Sequence, residues 1–235
     1  MAALEFSSTP LFGQEAHYWK LEDVNATTGG VNLTNNNTVA FNAAKFNNGA
    51  DTGAANANKS LTAASDLGIA GGAVSISLWV NITSAPSNSQ QDLFSQTDAG
   101  TNTRYTIRYS DTAGTKTIHF LRTKVGVGDE EETVAQDLGT GTFHHLVLTY
   151  NTTVIEGYYD GASTGTTTAS GDGSAGGVDG VTIGTAAGAG GSFFSGLIDD
   201  VVLFTRALTD DEVASLFSGD FPVVANPNPN YSFFM

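Results

Sequence analysis

Residues 193–217 read FFSGLIDDVVLFTRALTDDEVASLF, and two periodicities meet inside this one stretch. Gly196 to Phe204 is a β-branched and large apolar run, so it reads as a strand. Two adjacent carboxylates, Asp199 and Asp200, interrupt it between Ile198 and Val201. A carboxylate inside such a strand must reach water, a cation or several donors, which makes this pair the foremost site candidate in the chain. The second half is a short helix whose start is over-determined. Thr209 is its N-cap, Glu212 completes a T-x-x-E capping box, and Leu208 is placed to staple against Val213. Asp210 and Asp211 favour the positive end of the helix dipole. Val213, Leu216 and Phe217 make one apolar stripe, and Gly219 ends the element.

Away from this stretch helix signals are sparse. With 28 glycines among 235 residues and dense turn signals, the chain reads as an all-β sandwich or barrel. That length suffices to bury roughly 70% of the unfolded surface in one domain, and there is no cysteine to add a disulfide. Nine Lys and Arg against 24 Asp and Glu give a net charge of −15, with a pI near 4.3. Such acidity argues against nucleic acid and anionic membranes as partners, because phosphate recognition relies on Lys and Arg. Leu67 to Gln91 carries no charge, but Ser, Asn and Gly break it and it alternates with period two, so no membrane insertion is expected. The opening MAALEFSSTP has neither the basic nor the apolar region of a secretion signal, so such a signal is expected to be absent or already removed, and one domain with short tails fits a complete gene product at least as well as a module of a larger enzyme.

The strands are short and regularly spaced. His17 to Leu21 comes first, and Val39 to Asp51 reads as a strand followed by a turn through Asn47, Asn48 and Gly49. Val74 to Ile82 alternates cleanly, with Val74, Ile76, Leu78, Val80 and Ile82 on one face and Ser75, Ser77, Trp79 and Asn81 on the other. Further strands are expected at 92–96, 104–110, 117–124 and 143–150. Ile155 to Tyr159 and Thr164 to Thr168 flank Asp160-Gly161, a type I′ hairpin signal. Glycine-rich turns at 171–180 lead to a strand at 181–184 and then to the final one. This spacing favours an antiparallel sandwich.

In this order the segments resemble laminin G-like domains of the concanavalin A-like jelly-roll family. The matching pieces are HYWKLED from His17, AKFNNGAD from Ala44, VSISLWVN from Val74, FHHLVLTYN from Phe143, EGYYDG from Glu156, and the stretch that ends at Phe217. The resemblance covers about His17 to Ser218 and departs at Phe143, where the family has Trp. It implies a concanavalin A-like sandwich of two antiparallel sheets with one short C-terminal helix. On that reading residues 1–14 are an N-terminal arm, 15–218 the domain, and 219–235 an Asn/Pro-rich C-terminal arm.

The family also implies binding of glycans or proteins outside cells, and in some members one structural calcium ion. Such a hard cation takes several oxygen ligands. The resemblance brings together Asp23, Asn48, Gly49 and Asp199 as its ligands. Asp199 is preferred to Asp200 by analogy alone, and Glu22 stands as a substitute for Asp23.

Other constellations have two readings each. Trp79 on a polar strand face could stack on a sugar ring, or both faces of its strand could be covered and the indole be core. Arg104 and Arg108 share a face of one strand and would suit a carboxylate or sulfate ligand, or else pair with some of the many acids. His144 and His145 point to opposite faces of a strand, so they cannot serve one site and read as packing and hydrogen-bonding residues. The run Asp129 to Glu132 reads as a solvated loop, since it lacks the alternating acids of the fold's glucanases.

No catalytic residues are expected. No paired-acid strand motif, serine elbow or cysteine nucleophile is visible. Three function classes follow: a noncatalytic binding or adhesion module for glycan or surface partners, a structural or decorating protein of a virion or other surface assembly, and, weakest, a glycoside hydrolase. The first two place the protein outside the cell or on a particle surface, with the terminal arms available for homo-oligomer or assembly contacts.

Overall fold

The computed structural model describes residues 3–53, 58–64, 67–69, 72–86, 89–97, 103–124, 127–170, 180–186 and 192–220. The glycine-rich turns expected at 171–179 and the C-terminal arm beyond residue 220 lie outside the described residues. A short 3-10 helix, Phe6–Ser8, precedes the strands β1 (His17–Trp19), β2 (Thr34–Asn36), β3 (Ala40–Ala43), β4 (Asn48–Asp51), β5 (Ser60–Ala64), β6 (Val74–Ile82) and β7 (Gln90–Thr97). They continue as β8 (Thr103–Thr112), β9 (Thr115–Lys124), β10 (Gly128–Val134), β11 (His144–Tyr150), β12 (Val154–Tyr159), β13 (Ala162–Thr168), β14 (Gly180–Ile183) and β15 (Gly196–Phe204). The helix α1 (Asp210–Ser218) closes the described chain.

Two antiparallel sheets pack face to face. The first runs β13-β12-β11-β6-β15-β4-β3, with β1 also paired to β15; the second runs β10-β9-β8-β7-β14-β5-β2. The sandwich interior takes the apolar member of each alternation. Val74, Ile76, Leu78, Val80 and Ile82 of β6 meet Tyr105, Ile107 and Tyr109 of β8 and Ile118 and Phe120 of β9 in one buried cluster. The aliphatic face of β6 is therefore the one the alternation gives.

Hairpin chemistry is local and visible. Asp160 and Gly161 both adopt positive φ, 48° and 79°, which joins β12 to β13 by the type I′ route. Helix α1 carries the expected capping box, with the Thr209 side chain accepting from Glu212 N–H, and Gly219 ends it in the left-handed conformation at φ 72°.

Three expectations are corrected. Asn48 and Gly49 belong to strand β4, and the turn lies just before them, where Ala44 N–H donates to Asn47 O at 3.0 Å. The first fourteen residues are not a free arm. Phe6 and Leu11 are buried with Tyr18, Val147, Tyr158, Val202, Phe204, Leu208, Val213 and Leu216, a second apolar cluster on the outer side of the first sheet. Third, Asp129 to Glu132 is strand β10, paired along its length with β9. Alternation splits its acids. Glu130 accepts from Arg122 Nη1 at 2.8 Å and Ser170 N–H at 2.7 Å, and Glu132 accepts from Thr167 at 3.1 Å, so these two stitch β10 to the edge of the other sheet. Gly165 stands opposite them at φ 139°, a conformation that side chains rarely adopt, and a Cβ there would also press on the Glu132 carboxylate.

Candidate functional site

The paired acids of β15 share one face because the strand bulges between Asp199 and Val202, with Asp200 at φ 53°. Both are buried, 1% and 4% exposed. Their donors come from distant segments. Asp199 Oδ2 accepts from Phe46 N–H at 2.8 Å, while Asp200 accepts from Phe6 N–H at 2.8 Å and from the Tyr18 hydroxyl. The pair thus pins the N-terminal segment and the β3–β4 turn onto the sheet. Burial, reinforced by the Asp200 charge, pushes the Asp199 carboxyl up to about 8, and burial pushes Asp200 up to about 7 against the pull of Tyr18 and Phe6.

The expected metal set is brought together only in part. Gly49 lies directly against Asp199, since a Cβ on it would stand 3.2 Å from Asp199 Cβ and 2.8 Å from Ile198 O. Asn47, at the same turn, donates to Glu22 Oε1 at 2.9 Å. Asp23 does not join them, because both its oxygens are taken by the backbone N–H and side chain of Asn25 at 2.7 and 2.8 Å. The Asn48 residue is exposed on β4. Among the described residues no group of three His, Asp or Glu side chains is arranged to hold a metal. Side chains alone therefore complete no cage there; Glu22 and Glu5, not Asp23, are the carboxylates that reach the Asn47 turn beside Asp199.

Trp79 does point to the face of Ser75 and Ser77, but that face is covered. The indole is 3% exposed, stacks on Phe217 of α1 at 5.8 Å, meets His145 at 4.9 Å and Phe46 edge-on at 5.9 Å, and carries Lys45 Nζ at 4.1 Å from its ring. No sugar can reach it. Sugar stacking is thereby corrected to core packing, for the reason that α1 and the N-terminal residues seal the outer face of the first sheet. His145 is part of this seal: its Nε2 is 2.8 Å from Ser77 Oγ, and burial holds the imidazole down at about 3. His144 faces the other way, with Nδ1 2.8 Å from Asp160 Oδ2.

Among the described residues the outer face of the second sheet is polar and is open around Arg108, Ser110 and His119. Thr106, Arg108 and Ser110 of β8, His119 and Leu121 of β9, and Asp129 and Glu131 of β10 take the positions that alternate with the core residues. All of these but Thr106 line a depression of about 440 Å³, with Leu121 the apolar member among Arg108, Ser110, His119, Asp129 and Glu131. Arg108 cannot offer its paired Nε and Nη2 donors to an anionic ligand. Its Nε and Nη2 grip both oxygens of Asp92 at 2.6 and 3.2 Å, and Asp92 is 1% exposed. The Arg104 side chain lies outside the described residues, so the expected two-arginine face rests on Arg108 alone.

Three side chains form a relay across β8, β9 and β10. Ser110 Oγ is 2.7 Å from His119 Nε2, and His119 Nδ1 is 2.9 Å from Glu131 Oε2. Thr123 Oγ1 donates to Asp129 Oδ1 at 2.7 Å beside them. Sequence reasoning located β8 and β9, read β10 as a loop, and passed over Ser110 and His119. The signal was present in TIHFL, where His119 alternates with Ile118 and Phe120, yet alternation alone does not say which polar face stays open.

The laminin G-like model of the concanavalin A-like lectin/glucanases superfamily matches residues 48–214. No curated protein sequence matches the chain. Among solved structures, domain 4 of AbnA, a GH43 extracellular arabinanase from Geobacillus stearothermophilus, in complex with arabinotriose, has a TM-score of 0.67 at 18% identity over 87% of this chain and 98% of that one. The receptor binding domain of botulinum neurotoxin D has a TM-score of 0.69 at 11% identity, over 88% of this chain and 52% of its own. The binding domain of botulinum neurotoxin DC, in complex with SialylT, has 0.69 at 14%, over 87% and 51%. The chain thus spans about half of those toxin domains. It belongs to the concanavalin A-like lectin/glucanases superfamily.

Proposed function

We propose that this concanavalin A-like domain is a glycan-binding or adhesion module that works outside the cell and does not hydrolyse glycosidic bonds, with its sugar on the outer face of the second sheet. One observation carries the reading: one outer face of the sandwich is sealed by α1 and the N-terminal residues, and the other is open, polar and hollowed around Leu121. A shallow polar basin with an apolar floor is what a sugar ring, polar at its rim and apolar on its face, requires. Solved neighbours that carry arabinotriose or SialylT support a saccharide as the ligand class. Among the described residues no helix is long and apolar enough to cross a membrane.

Charge refines the ligand. Asp92 neutralises Arg108, while Asp129 and Glu131 remain at the rim, so the basin favours neutral sugars over sialic or uronic acids. A glycan array with the folded protein should give neutral oligosaccharide hits, and Asp129→Ala should weaken them several-fold with unchanged melting. Failure to bind any glycan overturns the reading; selective binding of acidic glycans overturns only the charge argument.

A structural calcium ion belongs to the same reading, held at the β3–β4 turn by Asp199 and Glu22 with main-chain oxygens such as that of Gly49. The two carboxylates reach one turn through Phe46 and Asn47, which supports it. Binding must remove the Asp199 proton, so calcium should raise the melting temperature more at pH 8 than at pH 6, and not at all in Asp199→Asn. Identical melting with EDTA and with excess calcium, and no metal in elemental analysis, would reject the ion.

A further inference from the structure

We propose that Ser110, His119 and Glu131 form a nucleophilic relay, and that the open face of the second sheet cleaves an O-acyl ester, with an O-acylated sugar as the substrate. The relay has the connectivity that serine acyl transfer needs. One imidazole nitrogen, Nε2, faces the hydroxyl at 2.7 Å, and the other, Nδ1, faces a carboxylate at 2.9 Å. All three line the same depression, where substrate has room. Rigid strands hold them, since β8, β9 and β10 are hydrogen-bonded neighbours.

Arg108 supplies the remaining part. It stands two residues before Ser110 on the same face of β8 and in the same depression, and Asp92 fixes its plane through Nε and Nη2. Its Nη1 is not used in that grip and is the donor available to a developing oxyanion.

The step balances without a cofactor. Ser110 Oγ attacks the ester carbonyl carbon as its proton passes to His119 Nε2, giving a tetrahedral oxyanion beside Arg108. The C–O bond to the sugar then breaks, His119 returns the proton to the leaving sugar oxygen, and an acyl-Ser110 ester remains. Water, deprotonated by His119, attacks that ester and releases the carboxylic acid, restoring Ser110. Esters are favoured over amides because an alkoxide leaves far more readily than an amide anion, so amide cleavage depends more heavily on full protonation of the leaving group. A single guanidinium on an open sheet also stabilises less than paired backbone amides, which here are spent on the strand ladder. Glu131 touches no reacting atom and is a positioning residue for His119.

The sugar half of the substrate rests on the glycan-binding reading; the relay itself does not. A fluorophosphonate probe followed by intact-mass spectrometry and peptide mapping tests the relay on the full chain. One phosphonyl adduct on Ser110 is expected. It should be absent in Ser110→Ala, slowed about 100-fold or more in His119→Gln, and slowed about tenfold in Glu131→Gln with recovery in Glu131→Asp, each with unchanged melting. Acetate release from an O-acetylated xylan, followed by NMR, should track the labelling rates. No adduct on folded protein, or an adduct on another residue, overturns the relay even if glycans bind. Labelling at Ser110 with acetate release only from simple aryl esters overturns the sugar substrate, and points to failure of the glycan reading.

Discussion

The two outer faces of the sandwich start from the same alternation and end in opposite states. On β6, Ser75, Ser77 and Trp79 alternate with core residues, as do Thr106, Arg108 and Ser110 on β8. The first set is sealed under α1 and the Phe6 segment, where it buries Asp199, Asp200 and His145. Most of its polar groups act as fasteners: Ser75, Asp199 and Asp200 bond backbone groups of the covering segments, while Ser77 and His145 bond each other. Of the second set Thr106 is buried while Arg108 and Ser110 stay partly open, and its polar groups bond to others on the sheet, Thr106 to Ser95, Arg108 to Asp92 and Ser110 to His119. A polar residue on a strand face is therefore a structural tie or a ligand contact according to what packs above it, not according to its type.

Truncating the sealed face should have the largest effect. Trp79→Ala removes an indole packed between Phe217, His145 and Phe46 and should cost about 3–5 kcal/mol in urea unfolding. Loss of glycan binding at unchanged stability would instead show that face to be open.

The pH dependence of stability separates the faces next. Asp199 and Asp200 titrate at about 8 and about 7 when folded, against about 4 unfolded. The folded chain then binds more protons than the unfolded one across that window, so stability falls as pH rises from about 4 to about 8. His145, at about 3 when folded against about 6.5 unfolded, has the reverse sign and loses stability as pH falls below about 6.5. Between about pH 6.5 and 8 the acid pair acts without it. Denaturation in chelator over that interval should show a decline that Asp199→Asn reduces; a rise would contradict the burial of the pair.

On the open face the strongest tie is Arg108 to Asp92. Arg108→Ala leaves a carboxylate that is 1% exposed without its bidentate partner and should cost about 2–3 kcal/mol, partly recovered by adding Asp92→Asn. An effect near zero would mean that water replaces the guanidinium there. The smallest change concerns the seal itself. Thr209→Ala removes the capping box of α1 and should cost about 1 kcal/mol, with glycan binding unaltered.

Local signals carried the fold a long way. The capping box of α1, the Asp160-Gly161 turn and the alternation of β6 depend on residues a few positions apart, and each appears as the sequence implies. The strand β10 was misread because four consecutive acids look solvated, whereas pairing with β9 sends alternate ones to opposite sides. Asp23 bonds its own Asn25, a local contact that a family pattern does not weigh. The relay of Ser110, His119 and Glu131 escaped because its members come from three strands and meet only through their register.

By itself the sequence determined the class of fold, the positions of most strands and the capped helix, because propensity, turn chemistry and period-two alternation act over short spans of chain. Tertiary structure alone decided which polar face is sealed. That outcome depends on Phe6 and Leu11 reaching the same apolar patch as Val213 and Leu216, a contact between the two ends of the described chain that burial of apolar surface rewards and that no local pattern encodes.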